Sequence, residues 1–327
     1  MSTSQEELSF RNAIREAIDE ELAADSNVIF FGEDVAEAGG VFAATPGLRD
    51  KYGDERVFDT PISELALSSA AFGSAVAGLR PIVEIMFADF LFLAMDSLVN
   101  QSAKYWYLSN EQKSIPLVVR SAVGGGIGFG PIHSQVPISW FLGVPGLKII
   151  APSTANDAKR LLKAAIRDEN PVLFFEHKAL YATTEVREEL TGQEILGKAR
   201  IVRDGSDVTL VSCMKGVADC LEAARLLGEE GISAEVLDLR SLRPMDNEMI
   251  QRSFSKTKSL LVVEEGPITG GWAGEVIAIA NEVTKDGMNL WRIATEDRPI
   301  PFSPALENAF YPSAATIIES VRERHAR

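Results

Sequence analysis

The segment 59–64, with the sequence DTPISE, places a carboxylate at the start of a long uncharged stretch. Residues 65–79 carry no charged side chain, so the sequence predicts a helix over 63–79 that is buried on all sides. Pro61 suits the first position of such a helix, because its ring fixes φ and it has no N–H. A carboxylate in poorly solvated surroundings needs a partner that accepts or shares its proton. Glu64 is therefore the first candidate for chemistry.

Three further segments carry side chains or loops suited to a binding site. They are 32–34 (GED), 87–90 (FADF) and 124–135 (GGGIGFGPIHSQ), and the last contains His133. Each follows a predicted strand, and ligands of parallel sheets bind outside the carboxyl ends of the strands. The plainer explanations are a helix-dipole carboxylate for Glu64, core packing for Phe87 and Phe90, and a flexible loop for 124–135. Their convergence at one sheet edge favours a binding site.

Several familiar site patterns are missing from the sequence. Cys213 and Cys220 lack zinc-site spacing, and we expect two buried thiols in a reducing compartment. No serine lies in a Gly-x-Ser-x-Gly elbow. No Gly-Asp-Gly followed by a suitably spaced asparagine is present to hold a magnesium-bound diphosphate. If the ligand carries a diphosphate, we therefore expect another chain to bind it.

Apolar strands alternate with helices along most of the chain, which predicts an α/β protein with parallel sheets covered on both faces. The 327 residues favour two domains. We place them at 1–185 and 201–327, joined by a charged, weakly periodic linker over 186–200. A predicted helix over 91–108 directly follows the aromatic segment 87–90.

Composition narrows the partners and the compartment. A net charge of −15 without a dense basic run argues against nucleic acid, whose binding needs a concentrated cationic face. The longest apolar run, 85–95, is interrupted by Asp89 and is too short to span a membrane. Residues 1–7 lack the basic start and apolar stretch of a secretory signal. We expect a cytoplasmic protein that binds neither nucleic acid nor membrane.

The ordered motifs of the chain resemble a known family. The resemblance is to the β subunit of the thiamine-diphosphate-dependent 2-oxoacid dehydrogenases, the decarboxylating component of the pyruvate, branched-chain and acetoin dehydrogenase complexes. It covers essentially the whole chain and both predicted domains. The segments that carry it are 32–35 (GEDV), 59–64 (DTPISE), 78–81 (GLRP), 84–90 (EIMFADF), 100–104 (NQSAK), 133–135 (HSQ), 145–148 (PGLK), 165–171 (AIRDENP) and 270–272 (GGW).

The resemblance implies a fold, an assembly and a set of site residues. The fold would be an N-terminal pyrimidine-binding domain and a C-terminal transketolase-like domain, and the assembly would contain two α and two β chains. Thiamine diphosphate would be shared with the α subunit, which would also hold the magnesium. Glu64 would pair with the ring nitrogen of the aminopyrimidine, Met86 and Phe90 would line its pocket, and His133 would face the substrate and the lipoyl group. A potassium site in some members matches Leu117, Ala165, Ile166, Asp168 and Asn170.

The activity implied is oxidative decarboxylation of a 2-oxoacid, with transfer of the acyl group to a lipoyl group of an acyltransferase core. The resemblance also implies that the C-terminal domain docks to that core. Phe87 and the segment 176–178 favour a pyruvate or acetoin substrate over a branched-chain one. The alternatives are a branched-chain 2-oxoacid dehydrogenase β subunit and a non-catalytic scaffold of the same fold. A self-sufficient transketolase is disfavoured, because the chain is too short for three domains.

Overall fold

The computed structural model describes residues 6–189, 192 and 194–325. Its internal contacts divide the chain into two compact units. The first unit comprises residues up to Val123 together with Gly143–Leu196, and the second comprises Gly124–Leu142 and the chain from Gly197 onward. Residues 1–5 of the segment that argued against a secretory signal, and positions 190, 191 and 193 of the predicted linker, lie outside the described residues.

The strands and helices are numbered here along the described chain. The strands are β1 (Glu7–Ser9), β2 (Val28–Gly32), β3 (Val57–Asp59), β4 (Arg80–Phe87), β5 (Val118–Val123), β6 (Lys148–Ile150), β7 (Val172–His177), β8 (Thr184–Val186), β9 (Arg200–Arg203), β10 (Val208–Ser212), β11 (Ala234–Asp238), β12 (Ser241–Arg243), β13 (Ser259–Pro267) and β14 (Asn289–Thr295). The α-helices are α1 (Phe10–Ala24), α2 (Leu48–Tyr52), α3 (Glu64–Val76), α4 (Tyr105–Leu108), α5 (Ile138–Leu142), α6 (Ala155–Arg167), α7 (Lys215–Glu229), α8 (Asn247–Thr257), α9 (Ala273–Asn281), α10 (Pro304–Phe310) and α11 (Ala314–His325).

The first unit is built on a parallel sheet with the strand order β6-β7-β5-β4-β2-β3. Every residue of β2, β5 and β7 is buried, as expected for central strands covered on both faces. The register aligns Gly32 at the end of β2 with Asp59 of β3 and Glu84 of β4. The carboxyl ends of these three strands therefore meet at one edge of the sheet.

Helices α1 and α6 of the first unit combine apolar packing with ion pairs. The buried face of α1 includes Phe10, Ile14 and Ile18. At the edge of this contact, Lys159 of α6 lies 2.8 Å from Glu16 and 2.7 Å from Glu20. The ion pairs are partly screened from water, so they hold the two helices in one relative position more effectively than fully exposed pairs would.

Helix α3 confirms the predicted helix after Glu64 but corrects two details of it. The helix begins at Glu64, so Pro61 precedes it instead of occupying its first position. It is not buried on all sides, because Leu65 is 50% exposed and Ala66, Ala70 and Gly73 are also exposed. The missing charges therefore do not mark burial within this chain. They leave a face of mostly small, uncharged residues.

The predicted continuous helix over 91–108 is wrong. The segment forms a 3₁₀ turn (Ala88–Phe92), a π-helix (Asp96–Ser102) and the short helix α4. The side chain of Asp96 accepts hydrogen bonds from Asn100 Nδ2 at 2.9 Å and from Gln101 Nε2 at 2.8 Å. These polar contacts across four and five residues accompany the wider π turn, a geometry that is frequent near functional sites.

The second unit has a five-stranded sheet with the order β14-β13-β10-β11-β9. Its strands are parallel except for β9, which pairs antiparallel with β11. A core of buried aliphatic residues from β10, α7 and α11 includes Leu210, Leu227 and Ile317. Both sheets thus agree with the α/β class predicted from the sequence. No helix in the described part of the chain is long and apolar enough to cross a membrane.

Candidate active site

Glu64 occupies the first position of α3 and is only 6% exposed. The helix continues directly from it, since the Leu67 N–H donates to the Ser63 carbonyl at 2.9 Å. A negative charge in the first turn interacts favourably with the partial positive charge of the unpaired helix N–H groups. The carboxylate predicted from the sequence is therefore buried, near a helix start, at the carboxyl edge of the sheet.

A second buried carboxylate, Glu33, lies in the same region; its segment 32–34 was a candidate from the sequence, but Glu33 itself was given no role. It follows β2 and is 3% exposed, and its Oε1 has no hydrogen-bond partner among the described residues. The pKa of Glu33 is raised to about 7, mainly by burial and then by the negative charge of Glu64, against a hydrogen bond from the Ser63 backbone. Glu33 can therefore hold a proton near neutral pH, close to a second buried carboxylate.

The loop after β2 is held in place by the first residue of the 59–64 segment. Asp59 Oδ1 accepts from the Ala36 N–H at 2.7 Å, and its Oδ2 accepts from the Glu37 N–H at 3.1 Å. Gly32 lies so close to β4 that a Cβ atom would be 2.5 Å from the Glu84 carbonyl oxygen. The strand ends therefore fix the backbone on both sides of Glu33, which explains why the GED and DTPISE segments occur together.

A buried arginine organises the strands beneath this region. Arg120 Nε and Nη2 donate to the two oxygens of Glu176 at 2.7 and 2.9 Å, and Nη1 donates to Glu84 at 2.8 Å. The Tyr181 hydroxyl also donates to Glu176, at 2.8 Å. Burial lowers the pKa of Arg120, but the adjacent carboxylates outweigh burial and raise it, so the guanidinium stays charged.

Met86 and Phe90 form the apolar part of the candidate site in the first unit. Met86 lies near the end of β4 and Phe90 in the 3₁₀ turn that follows, and both are partly exposed. The Phe90 ring packs edge-to-face on Phe87 with centroids 6.2 Å apart. Accessible apolar side chains and two buried carboxylates in one unit suit a flat nitrogen heterocycle, which needs both kinds of contact.

His133 lies in the second unit, on the glycine-rich loop of residues 124–135. The loop closes on itself, because the Gly124 N–H donates to the Gln135 carbonyl at 3.5 Å. The backbone N–H of His133 donates to the Gly130 carbonyl at 3.4 Å, and its ring lies edge-on to Phe129 at 6.5 Å. The histidine is half-buried, so its ring is held in the loop while part of it stays accessible.

The glycines of this loop are explained by the C-terminal segment of the same unit. A Cβ atom on Gly125 would lie 2.3 Å from the Tyr311 ring, and one on Gly130 would lie 2.3 Å from the Phe302 ring. The Gly128 N–H donates to Glu307 Oε2 at 3.0 Å. The loop therefore needs glycine at these points because two aromatic rings and a carboxylate approach its backbone closely.

The five residues of the expected potassium site are all in the first unit, around the end of α6 and the start of β5. Arg80 donates to the Ile166 carbonyl at 3.1 Å and to the Asp168 carbonyl at 3.1 Å. The carboxylate of Asp168 also accepts from Lys148 Nζ. The Leu117 carbonyl accepts from the Val172 N–H, and the Ala165 carbonyl accepts from the Asp168 N–H. Asn170 donates to Asp168 Oδ1. The Arg80 guanidinium and two backbone N–H groups thus each donate to carbonyls of this set, those of Leu117, Ala165, Ile166 and Asp168.

Both cysteines are buried, as expected from the sequence. Cys213 follows β10 and is 5% exposed, and Cys220 lies in α7 with no exposed surface. Burial raises the pKa of both thiols. Among the described residues no group of three or more His, Cys, Asp or Glu side chains is arranged to hold a metal ion.

Comparison with known proteins defines the class. The transketolase pyrimidine-binding domain family matches residues 6–184, and the transketolase C-terminal domain family matches residues 197–317. A solved structure described as a split-gene transketolase, inactive β4 tetramer, shares the fold with a TM-score of 0.79 and 22% identity, covering 97% of this chain and 98% of that one. The protein therefore has the transketolase-type two-domain fold.

Sequence relatives narrow the class further. The chain is 42% identical to the mitochondrial pyruvate dehydrogenase E1 component subunit beta-1 of Arabidopsis thaliana, over 96% of this chain and 88% of the relative. It is also 42% identical to the 2-oxoisovalerate dehydrogenase subunit beta of Bacillus subtilis, over 97% of this chain and 98% of the relative. The chain belongs to the family of 2-oxoacid dehydrogenase β subunits, which are parts of oxidoreductases.

Proposed function

We propose that this chain, together with an α subunit, carries out thiamine-diphosphate-dependent oxidative decarboxylation of a 2-oxoacid and reductive acylation of a lipoyl group. The observation that carries the proposal is the buried pair of Glu33 and Glu64 at the carboxyl edge of the first sheet. A buried carboxylate that keeps its proton near neutral pH, close to a second buried carboxylate, is suited to a ligand that must be held in a particular protonation state.

The side chains of the first unit suit the aminopyrimidine ring of thiamine diphosphate. Glu64 would accept a hydrogen bond from the ring nitrogen, and Glu33 would take up or return a proton through its unpartnered Oε1. Met86 and Phe90 would contact the faces of the ring. When bound, the cofactor supplies the nucleophilic carbon and the electron sink for decarboxylation. The chain supplies orientation, exclusion of water and control of one proton.

His133 is the residue that we assign to the substrate and to the incoming lipoyl group. An imidazole nitrogen can donate or accept a proton, so His133 is suited to proton transfer while the acyl group is transferred to sulfur. The diphosphate and its magnesium would be held by the α subunit, because this chain has no Gly-Asp-Gly…Asn motif. The assembly proposed is two α and two β chains that dock to a lipoyl acyltransferase core.

We propose a pyruvate-like substrate, with acetoin as a second member of the same group. Of the residues that favour pyruvate, Glu176 is bound to Arg120, and His177 caps a short turn through Nδ1. Both therefore have structural roles, and the preference for pyruvate rests on Phe87. A branched-chain 2-oxoacid is the alternative, and the printed names of the relatives include both activities. Steady-state rates of the reconstituted α/β pair with pyruvate, acetoin and 2-oxoisovalerate decide between them. A higher kcat/KM for 2-oxoisovalerate than for pyruvate would refute the preference.

The potassium site also stays a proposal for this chain. A potassium ion would share the carbonyls of Leu117, Ala165 and Ile166 by using their second lone pairs. Arg80 already supplies positive charge there, which weakens the need for the ion. The thermal stability of the full chain in 100 mM (about physiological ionic strength) potassium or sodium chloride tests the site. A higher midpoint in potassium alone supports it, and identical midpoints contradict it.

The domain limits and the cellular location are also proposals. We propose domain limits at 1–185 and 201–327 with a linker over 186–200, and limited proteolysis of that linker followed by mass spectrometry tests them. We also propose a cytoplasmic location, and cell fractionation with an antibody tests it, since several relatives have names that place them in mitochondria. A non-catalytic scaffold role is the remaining alternative, and absence of turnover with every α subunit encoded beside this chain would favour it.

A further inference from the structure

The loop that carries His133 is attached at both its base and its tip. At the base, Gly124 and Gln135 are joined by a backbone hydrogen bond, which makes residues 124–135 a compact closed loop. Residues 302–311, a segment far along the chain but in the same unit, contact the loop both at its tip and near its base. The position of His133 therefore depends on contacts outside its own loop.

Glu307 makes the polar contact at the tip. It is 1% exposed, lies in α10, and accepts from the Gly128 N–H at 3.0 Å through Oε2. Its other oxygen, Oε1, is buried without a hydrogen-bond partner among the described residues. A buried carboxylate with one unsatisfied oxygen is unfavourable for stability alone, so a role in fixing the loop explains its position better.

Two aromatic rings make the apolar contacts. Phe302 lies over Gly130 and Tyr311 over Gly125, each close enough to exclude a side chain at the glycine. The Tyr311 hydroxyl also donates to the Ser134 carbonyl, next to His133, at 3.4 Å. The carboxylate and the rings thus contact the loop at residues before and after the histidine.

We infer that Glu307 is a positioning residue for His133: by binding the Gly128 N–H, it holds the glycine-rich loop in the conformation that presents the imidazole. The inference rests on the proposed function for the step that it affects, the transfer of the acyl group to the lipoyl sulfur. It assigns a role to helix α10 that neither the motifs of the sequence nor the match to the C-terminal domain family provides.

Hydrogen–deuterium exchange of the full-length chain tests the structural half of the inference without any activity. In Glu307→Ala the backbone amides of residues 124–135 should exchange about tenfold faster, as expected for the loss of one backbone hydrogen bond. Glu307→Gln keeps a side-chain oxygen acceptor of the same size and should stay within about twofold of the wild type. Unchanged exchange in Glu307→Ala would overturn the inference.

A second variant displaces the loop without touching the carboxylate. Gly125 has an ordinary backbone conformation, so Gly125→Ala adds only the contact with the Tyr311 ring. It should accelerate exchange in the same segment. Gly143→Ala is the matched control, because a Cβ atom there meets nothing within 4 Å and the backbone is also ordinary. Equal exchange in the two alanine variants would count against the inference.

The catalytic half is tested in the reconstituted α/β complex with His133→Ala as reference. Glu307→Ala should lower the kcat of lipoyl acylation about tenfold more than decarboxylation measured with an artificial electron acceptor. The double variant should be no slower than His133→Ala, because Glu307 acts through the histidine. Fully multiplicative losses would overturn the inference. A wild-type complex that decarboxylates no 2-oxoacid would refute the proposed function instead, while the exchange result would still decide the role of Glu307 in the loop.

Discussion

Glu33 and Glu64 lie in the same buried region of the first unit, and the negative charge of Glu64 contributes to a pKa of about 7 at Glu33. One of the two follows a central strand and the other begins a helix. Burial and the nearby Glu64 charge both disfavour the ionised form of Glu33, which therefore retains a proton at a pH where an isolated glutamate would lose it. This pair is the centre of the proposed function and has consequences for stability.

The stability of the chain should depend on the protonation of Glu33. Its pKa is higher in the folded chain than the ordinary value of 4.5, so the folded state binds the proton more tightly than the unfolded state does. The stabilisation that this tighter proton binding gives to the folded state is complete below pH 4.5 and is lost as the pH rises through 7. Glu33→Gln should therefore be more stable than the wild type at pH 8 by about 2 kcal/mol.

Urea unfolding of the full chain at pH 5, 6, 7 and 8 (about one-unit steps across the titration) measures this difference. The exposed Glu55 provides a matched control, because Glu55→Gln removes the same charge without changing a buried group. The difference between Glu33→Gln and the wild type should grow with pH, and Glu55→Gln should show no such trend. A difference that is constant across this range would contradict the raised pKa.

The contact between α1 and α6 should show the opposite pH dependence. The pKa of Glu16 is lowered to about 2: a hydrogen bond from Arg187 has the largest effect, burial opposes it, and Lys159 adds to the lowering. The stabilisation is present above pH 4.5 and is lost as the pH falls towards 2. Glu16→Gln should cost about 1–2 kcal/mol at pH 7, since the group is partly screened by solvent. The same unfolding measurement at pH 7 and pH 3 (roughly within the titration) should show a smaller cost in acid. An equal cost at both values would argue against the lowered pKa.

Arg120 should be among the most sensitive positions of the first unit. Arg120→Met removes the guanidinium and leaves Glu84 and Glu176 buried without their counter-charge, which costs about 3–5 kcal/mol. Arg49 serves as the control, because its ion pair with Asp54 is exposed and Arg49→Met should cost much less than Arg120→Met. Thermal unfolding of both variants gives the comparison. Similar losses in the two would show that the buried network does not stabilise the fold.

The cysteines should be unreactive in the folded chain. Burial raises the pKa of both Cys213 and Cys220, so neither thiolate forms appreciably at pH 8, and neither sulfur is accessible. A chromogenic disulfide reagent should detect no rapidly reacting thiol in the native chain and both thiols after unfolding in guanidinium chloride. Rapid reaction of one thiol in the native chain would contradict the burial of that side chain.

The sequence predicts those parts of the fold that repeat locally. Helices α1 and α6 have clear amphipathic spacing, β2 is apolar throughout, and β5 and β7 begin with apolar residues, so each is apparent from the sequence pattern. The π-helix at Asp96–Ser102 is not apparent, because it depends on which side-chain contacts Asp96 makes. The exposed face of α3 is also hidden, since missing charge is equally consistent with burial inside the chain.

Site residues could be predicted where the local sequence marks them. They could not be predicted where their role depends on neighbours that are distant in sequence. Glu64 stands out because it precedes an uncharged stretch. Glu33 acquires its raised pKa from the Glu64 charge and from burial, which no local pattern encodes. Glu307 binds Gly128, which precedes it by 179 positions, so the reason for the glycine-rich loop emerges only from the folded second unit.

In the proposed function, the Glu64 carboxylate is required for turnover and not for the fold. Glu64→Gln keeps the size and one acceptor oxygen but removes the charge that would bind the protonated ring nitrogen. The decisive measurement is the decarboxylation rate of the Glu64→Gln chain reconstituted with its α subunit, with assembly checked by analytical ultracentrifugation. We expect intact assembly and a kcat reduced by about 10²–10⁴-fold. A correctly assembled complex with near-wild-type turnover would contradict the role proposed for Glu64.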